Sequence, residues 1–242
     1  KTEVIWFASA RRQHQLPLDP LVVGSDAVTP VKSVRDLGVL LDSDLSMRSH
    51  ITKTVSSCFA ALRQIRSIRR SVSRPVLQSL VSALVVSRLD YGCATLSGLP
   101  AVQLDRLQAV LNAAARLVFR ARKYDHITPL LRELHWLCVP ERITFRLATL
   151  AYRCQHGTGP NYLAEDIHRV ADMESRRRLR SASTATLLVP RTLHPTIGDR
   201  AFSVAAAQAW NSLPLTVQNS ESLMTFRRQL KTVLFQRSFG IN

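Results

Sequence analysis

RSHITKTVSSCFAALRQIRSIRR, residues 48–70, decides the fold class of this 242-residue chain. Ile51, Val55, Cys58, Phe59, Leu62 and Ile65 recur at spacings of three and four, the period of one helix face. Arg63, Arg66 and Arg70, at i, i+3 and i+7, share one flank of this helix, and Lys53 lies in the same basic stretch. Arg69 falls on the apolar stripe, so the helix must leave the core by that point. A helix that buries one face and lines the other with arginine is the pattern of the chain's central third.

Downstream, Ser73-Arg74-Pro75 restarts a helix, with Ser73 as N-cap and proline in the first turn. Val76, Leu77, Leu80, Val81, Leu84 and Val85 make that helix apolar nearly all round, which predicts a central position. Leu104, Leu107, Leu111, Ala114 and Val118 define another amphipathic helix, with Arg116 and Arg120 on its far side. Pro140-Glu141-Arg142 opens a further one that runs to about Cys154 and stops at Gly157. His126 and Thr128, just before Pro129, are placed to cap the helix that follows them. The linker Gly157-Thr158-Gly159-Pro160 is the domain boundary within the helical part. Beyond it lie the run Arg176-Arg177-Arg178-Leu179-Arg180, a strand candidate at Thr186–Val189 and a short helix around Ala201–Trp210. A closing helix, Ser220–Phe235, has Ser222 as its cap and Leu223, Phe226, Leu230 and Leu234 inside.

Upstream the period differs. Val4–Phe7, Leu21–Val23 and Val34–Leu41 are short apolar runs separated by Pro17, Pro20, Gly24-Ser25-Asp26 and Pro30. Turn residues between short apolar runs predict a small antiparallel sheet. The fold class is mainly α with a small N-terminal antiparallel β element, a helical bundle, and a smaller mixed C-terminal subdomain. Its divisions are 1–44, 45–157 and 158–242.

Charge narrows the partner. Lys+Arg number 33 against 17 Asp+Glu, a formal net charge of +16, and 28 of the basic residues are arginine. Self-repulsion of this size opposes folding, and a polyanion opposite it relieves it. Arginine presents a planar fork that fits phosphate bidentately, which lysine does not. Distribution says more than the sum. Between Asp44 and Asp90 there is no acid, while Arg48, Lys53, Arg63, Arg66, Arg69, Arg70, Arg74 and Arg88 fall there. A second acid-free window holds Arg106, Arg116, Arg120, Arg122 and Lys123. Asn112 and Arg116, one turn apart, mark the face best suited to a duplex. No aromatic residues interleave these arginines, so the contact expected is with sugar-phosphate, independent of sequence.

Several classes fall away. The longest apolar run, Leu80–Val86 broken by Ser82, is far short of a bilayer span, so no membrane partner is expected. Four widely spaced cysteines, Cys58, Cys93, Cys138 and Cys154, predict buried free thiols in a reducing, intracellular setting, nucleus and cytoplasm. His135-x-x-Cys138 with Cys154-x-His156 can be drawn as a zinc site. Cys154 and His156, at i, i+2 in a helix, would diverge by about 200°, which argues against it. No Gly-x-Ser-x-Gly elbow and no phosphate-binding glycine loop occurs. Trp136 and Trp210 sit among apolar neighbours and are expected in the core.

The order of motifs resembles a known family over essentially the whole chain. Lys1-Thr2-Glu3, Val34-Arg35-Asp36-Leu37-Gly38-Val39 and Arg88-Leu89-Asp90-Tyr91-Gly92 are similar to the reverse transcriptases of vertebrate LINE-class (non-LTR) retrotransposons. So are Leu111-Asn112-Ala113-Ala114-Ala115-Arg116, Asp125-His126-Ile127-Thr128, Leu134-His135-Trp136-Leu137 and Pro140-Glu141-Arg142-Ile143. Arg200-Ala201-Phe202-Ser203 and Trp210-Asn211-Ser212-Leu213-Pro214 complete the series.

The resemblance implies a post-palm fragment of such a polymerase. Lys1-Thr2-Glu3 would close the palm, and Leu37, Gly38 and Val39 would form the primer-grip hairpin. Residues 45–157 would be the thumb that clamps an RNA–DNA template–primer, and 158–242 a C-terminal extension. Upstream palm and endonuclease domains would be its companions. The palm carboxylates that hold Mg²⁺ for polymerisation, with their Tyr/Phe-Ala-Asp-Asp turn, are absent here, so this chain alone is expected to be neither a polymerase nor a cofactor binder. Asp42 and Asp44 read as turn and N-cap residues. A different class also fits: a repurposed helical module that binds a protein through the closing helix and the Trp210 segment.

Overall fold

The computed structural model describes residues 2–172 and 185–240. Lys1 and the arginine run at 176–180 lie outside the described residues. The chain is mainly helical, with two small antiparallel hairpins near its N-terminus. Hairpin β1–β2 joins Leu21–Val23 to Asp26–Val28, and hairpin β3–β4 joins Ser33–Asp36 to Val39–Asp42. The expected single sheet is therefore two separate pairs. Val4–Phe7 is not a strand, although the Val4 carbonyl accepts from the Val31 N–H at 2.8 Å and the Ala8 N–H donates to the Ser43 carbonyl at 3.0 Å.

The helices follow in the predicted order. Helix α1 spans Arg48–Ile68, α2 Arg74–Val81 and α4 Ala101–Phe119. Helix α2 continues through a π-helical turn, Ser82–Val86, into α3, Ser87–Asp90, so one rod runs from Arg74 to Asp90. Cys58 Sγ lies 3.8 Å from the Val85 carbonyl and Arg88 Nη1 donates to Ser57 Oγ at 2.8 Å. The rod is thus antiparallel to α1. Arg106 Nη2 donates to Thr52 Oγ1 at 3.0 Å and Arg120 Nη2 to the Arg69 carbonyl at 3.2 Å, so α4 runs parallel to α1. Ile51, Cys58, Leu62 and Ile65 meet Leu77, Val81 and Val85 and Leu107, Leu111, Ala114 and Val118 in the first core. Two stripe members deviate: Phe59 is exposed, and Val55 only half-buried. Val76 and Leu84 are also exposed, so the rod is central on one side only.

Helix α5, Ile127–Glu133, and helix α6, Val139–Gln155, follow. Neither His126 nor Ser73 makes a side-chain cap bond to its helix. Pro75 and Pro140 nonetheless begin their helices where a proline needs no N–H partner. Helix α6 faces two ways. Val139, Ile143 and Leu147 join the first core, while Ala148, Ala151 and Tyr152 join a second with Trp210, Phe226, Leu230 and Leu234. The short helices α7 (Asn161–Ala164) and α8 (Pro195–Gly198) precede α9 (Phe202–Asn211), α10 (Leu215–Gln218) and α11 (Leu223–Phe239). The Ser222 hydroxyl accepts from the Thr225 N–H at 3.2 Å, the predicted cap of the closing helix. Tyr152 stacks on Phe226 at 4.5 Å, and Trp210 on Phe226 at 5.7 Å. Each such fully buried large side chain contributes about 1.5–3 kcal/mol by leaving water. The strand candidate at Thr186–Val189 is only a bridge, Leu187 against Arg169.

Candidate nucleic-acid interface

Helix directions bring the two acid-free windows together. Because α1 and α4 are parallel and the rod antiparallel, the end of α1, the start of α2 and the end of α4 share one end of the bundle. Arg63 and Arg66 lie exposed on the last turns of α1, and Arg69 and Arg70 in the turn beyond Ile68. Arg70 is therefore off the helix, a correction to the flank expected for Arg63, Arg66 and Arg70. Arg74 pairs with Glu133 of α5, and its guanidinium stands 4.1 Å over the Phe119 ring. Arg120 adopts φ 57 as the C-cap of α4 while its side chain reaches the Arg69 carbonyl. Exposed Arg122, Lys123 and Arg132 belong to the adjoining loop and α5.

Not every predicted contact residue is free to meet a ligand. Arg116 is half-buried: Nη2 donates to the Asp125 carbonyl at 3.3 Å, and Nε is buried without a partner among the described residues. Asn112, also half-buried, accepts from Gln108 Nε2 at 2.8 Å. Of the face expected to meet a duplex, Arg116 is thus engaged with the 121–126 loop and Asn112 with Gln108 of its own helix. Lys53 is exposed but stands ten residues before Arg63, about 15 Å up the helix axis, away from the basic end. Arg63, Arg66, Arg70 and Arg122 remain exposed, with no side-chain hydrogen bond or ion pair among the described residues. Lys123 reaches only the Tyr124 ring, at 5.8 Å.

The hairpin β3–β4 is fastened to the opposite end. Leu37 (φ 43) and Gly38 (φ 87) occupy the turn with positive φ at both central positions, the geometry that matches strand twist in a two-residue hairpin. The Tyr91 hydroxyl donates to the Leu37 carbonyl, and a Cβ at Gly38 would stand 3.1 Å from the Tyr91 ring. Gly92 (φ 63) lets the chain turn against Val39, whose Cγ2 would lie 3.0 Å from an added Cβ. Buried His50 of α1 accepts from the Leu40 N–H through Nδ1 at 3.4 Å. Burial pushes the His50 pKa down, with Asp42 opposing. Leu37 itself is 86% exposed at the tip.

Other motif residues hold the fold. Arg142 Nε and Nη2 grip Asp90 at 2.7 and 2.6 Å, joining two motifs 52 residues apart. Asn211 accepts from the Leu187 N–H and donates to its carbonyl, at 2.9 and 2.8 Å, and Trp210 Nε1 donates to the Ala185 carbonyl at 2.7 Å. Arg200 donates to the Leu45 carbonyl. Sequence alone assigns none of these roles, because each joins residues far apart along the chain.

The Asp42 and Asp44 carboxylates serve the turn and helix start that follow them. Asp42 Oδ2 accepts from Ser46 Oγ and the Ser49 N–H at 3.2 and 3.1 Å, capping α1, and Asp44 Oδ1 accepts from the Ser46 N–H at 2.9 Å. Among the described residues no three His, Cys, Asp or Glu side chains are grouped to hold a metal ion. His135 stacks near Phe235 and His156 on Tyr152. Cys58 and Cys93 are buried thiols whose pKa burial pushes up to about 11. Trp136 and Trp210 are buried, and Phe226, Leu230 and Leu234 of the closing helix also face the core. Among the described residues no helix is long and apolar enough to cross a membrane. Comparisons with protein-family models, curated proteins and solved structures find no match.

Proposed function

We propose that this chain is the post-palm part of a LINE-class reverse transcriptase, binding an RNA–DNA template–primer through the basic end of its helical bundle. The observation that carries the reading is the convergence of two separate acid-free windows on one end of three helices. Residues 63–74 and 116–123, with Arg132, bring ten basic side chains there against Asp125 and Glu133. Phosphate contacts supply affinity without sequence preference, and a helix end rich in guanidinium suits them. Arg74, Arg116 and Arg120 are engaged with the chain's own groups, while Arg63, Arg66, Arg70, Arg122 and Lys123 face the ligand. The β3–β4 hairpin, clamped by Tyr91 and His50, is the counterpart of a primer grip at the bundle's other end. Catalysis belongs to a palm domain and its Mg²⁺, and this chain contributes the clamp.

The test is fluorescence anisotropy with an RNA–DNA hybrid and the triple variant R63E/R66E/R70E. These three side chains hold no hydrogen bond or ion pair among the described residues, so the fold should persist by circular dichroism while binding weakens roughly tenfold or more. Unchanged affinity in a folded variant would refute the reading.

A further inference from the structure

A second concentration of positive charge lies elsewhere, where helices α6 and α11 meet. Arg142 and Arg146 on α6, with Arg227 and Lys231 on α11, line one cavity of about 300 Å³ together with Asp90 and Phe145. Asp90 is the one carboxylate among the residues lining this cavity. Asp90 is gripped bidentately by Arg142, and Arg146 reaches the same oxygen only at 3.8 Å. Arg227 and Lys231 stand one turn apart on α11, a like-charge i, i+4 pair that is unfavourable without a counter-ion. Arg227 stands 5.9 Å over the Phe145 ring, which orients its guanidinium along the wall.

We infer that this cavity is a phosphate-binding site, built from Arg227 and Lys231, which form no ion pair with Asp90, and from Arg146, whose 3.8 Å approach leaves most of its guanidinium edge open. Arg146 and Arg227 can each present a two-pronged donor edge to a phosphate oxygen pair, and Lys231 adds a point charge. The Asp90–Arg142 pair forms the rigid floor. The cavity is separate from the basic end of the bundle. Asp90 closes the rod that Arg74 opens, sixteen residues and about 24 Å away along its axis. The phosphate could come from a nucleic-acid backbone or from a free phosphate or pyrophosphate, and the chemistry is common to both.

The test uses the full chain, the R227E/K231E variant and two probes, with ¹⁵N-labelled protein monitored by NMR. Both positions are exposed, so the variant should keep its fold. Inorganic pyrophosphate at constant ionic strength should shift amides around 142–146 and 227–231 saturably in the native chain, and at least tenfold more weakly in R227E/K231E. Displacement of pyrophosphate by a single-stranded oligonucleotide would identify a backbone phosphate as the source. Saturable pyrophosphate binding without displacement would identify a free phosphate. Shifts that do not saturate, or that survive unchanged in R227E/K231E, would overturn the proposal. R63E/R66E/R70E should bind pyrophosphate normally at this cavity, so failure here is distinct from failure of the template–primer reading.

Discussion

Removing the charge of Asp90 should cost more stability than removing the side chain that grips it. Arg142 and Asp90 are only 16% and 20% exposed and share two charge-assisted hydrogen bonds. Hydrogen bonds to charged groups contribute about 1.5–3 kcal/mol, and stranding a buried partner costs up to about 3–5. In Arg142→Met, which keeps the aliphatic stem, Asp90 still has Arg146 at 3.8 Å, so the loss should be about 1.5 kcal/mol. In Asp90→Asn, Arg142 is left in a cavity with Arg146, Arg227 and Lys231 and no carboxylate, and the loss should reach about 3 kcal/mol. The double variant should be no less stable than Asp90→Asn, because Met removes the stranded charge. Urea unfolding followed by tryptophan fluorescence and by circular dichroism gives all four corners of the cycle. At about 2–4 °C per kcal/mol for a chain of this size, Asp90→Asn should melt roughly 6–12 °C lower. Additive losses, or an Arg142→Met cost equal to that of Asp90→Asn, would show that Arg142 is not stranded when the Asp90 charge is removed.

Gly38→Ala should cost about 1–2 kcal/mol, since φ 87 is strained for alanine and the new methyl meets Tyr91 at 3.1 Å; a melting temperature equal to the native chain's would contradict this. Burial lowers the His50 pKa from its ordinary 6.5, so the folded state binds fewer protons than the unfolded one. The stability this gives is fully present above about pH 6.5 and is lost as pH falls below it. Exchange of the Leu40 amide with solvent deuterium should therefore speed up relative to the α4 core between pH 7.5 and 5.5, after correction for intrinsic rates. Cys58 and Cys93, with pKa near 11, should resist a thiol reagent at pH 8 and react promptly only in denaturant; fast labelling of either in the folded chain would show that the cores open.

Local patterns are legible in the sequence. The stripe Ile51, Cys58, Leu62 and Ile65, the proline-started helices at Pro75 and Pro140, and the Ser222 cap depend on neighbours within a few residues, and sequence displays those. Phe59 departs from the stripe because periodicity gives direction only to within about half a turn, and whether its edge is covered depends on the partner helix. The single sheet expected near the N-terminus is two hairpins, because strand pairing is set by which turns close locally, at Gly24-Ser25 and Leu37-Gly38. The basic end is half legible: both acid-free windows are visible in sequence, but their meeting depends on the parallel course of α1 and α4. Arg116 carries the right chemistry, but its guanidinium is drawn to the Asp125 carbonyl in the loop after α4, a contact that helix periodicity does not display. The second basic cavity has a local hint, Arg227 and Lys231 at i, i+4, yet its other wall comes from α6, far upstream in the chain.

Phosphate binding is assigned to the bundle's basic end. Its most direct measurement is the dissociation constant for an RNA–DNA hybrid across a salt series, for the native chain and R63E/R66E/R70E. Each phosphate neutralised contributes about 0.9 to the slope of log affinity against log salt. The native chain should show a steep linear fall, and the variant a slope shallower by about two to three. A flat native line, or two parallel lines, would contradict it.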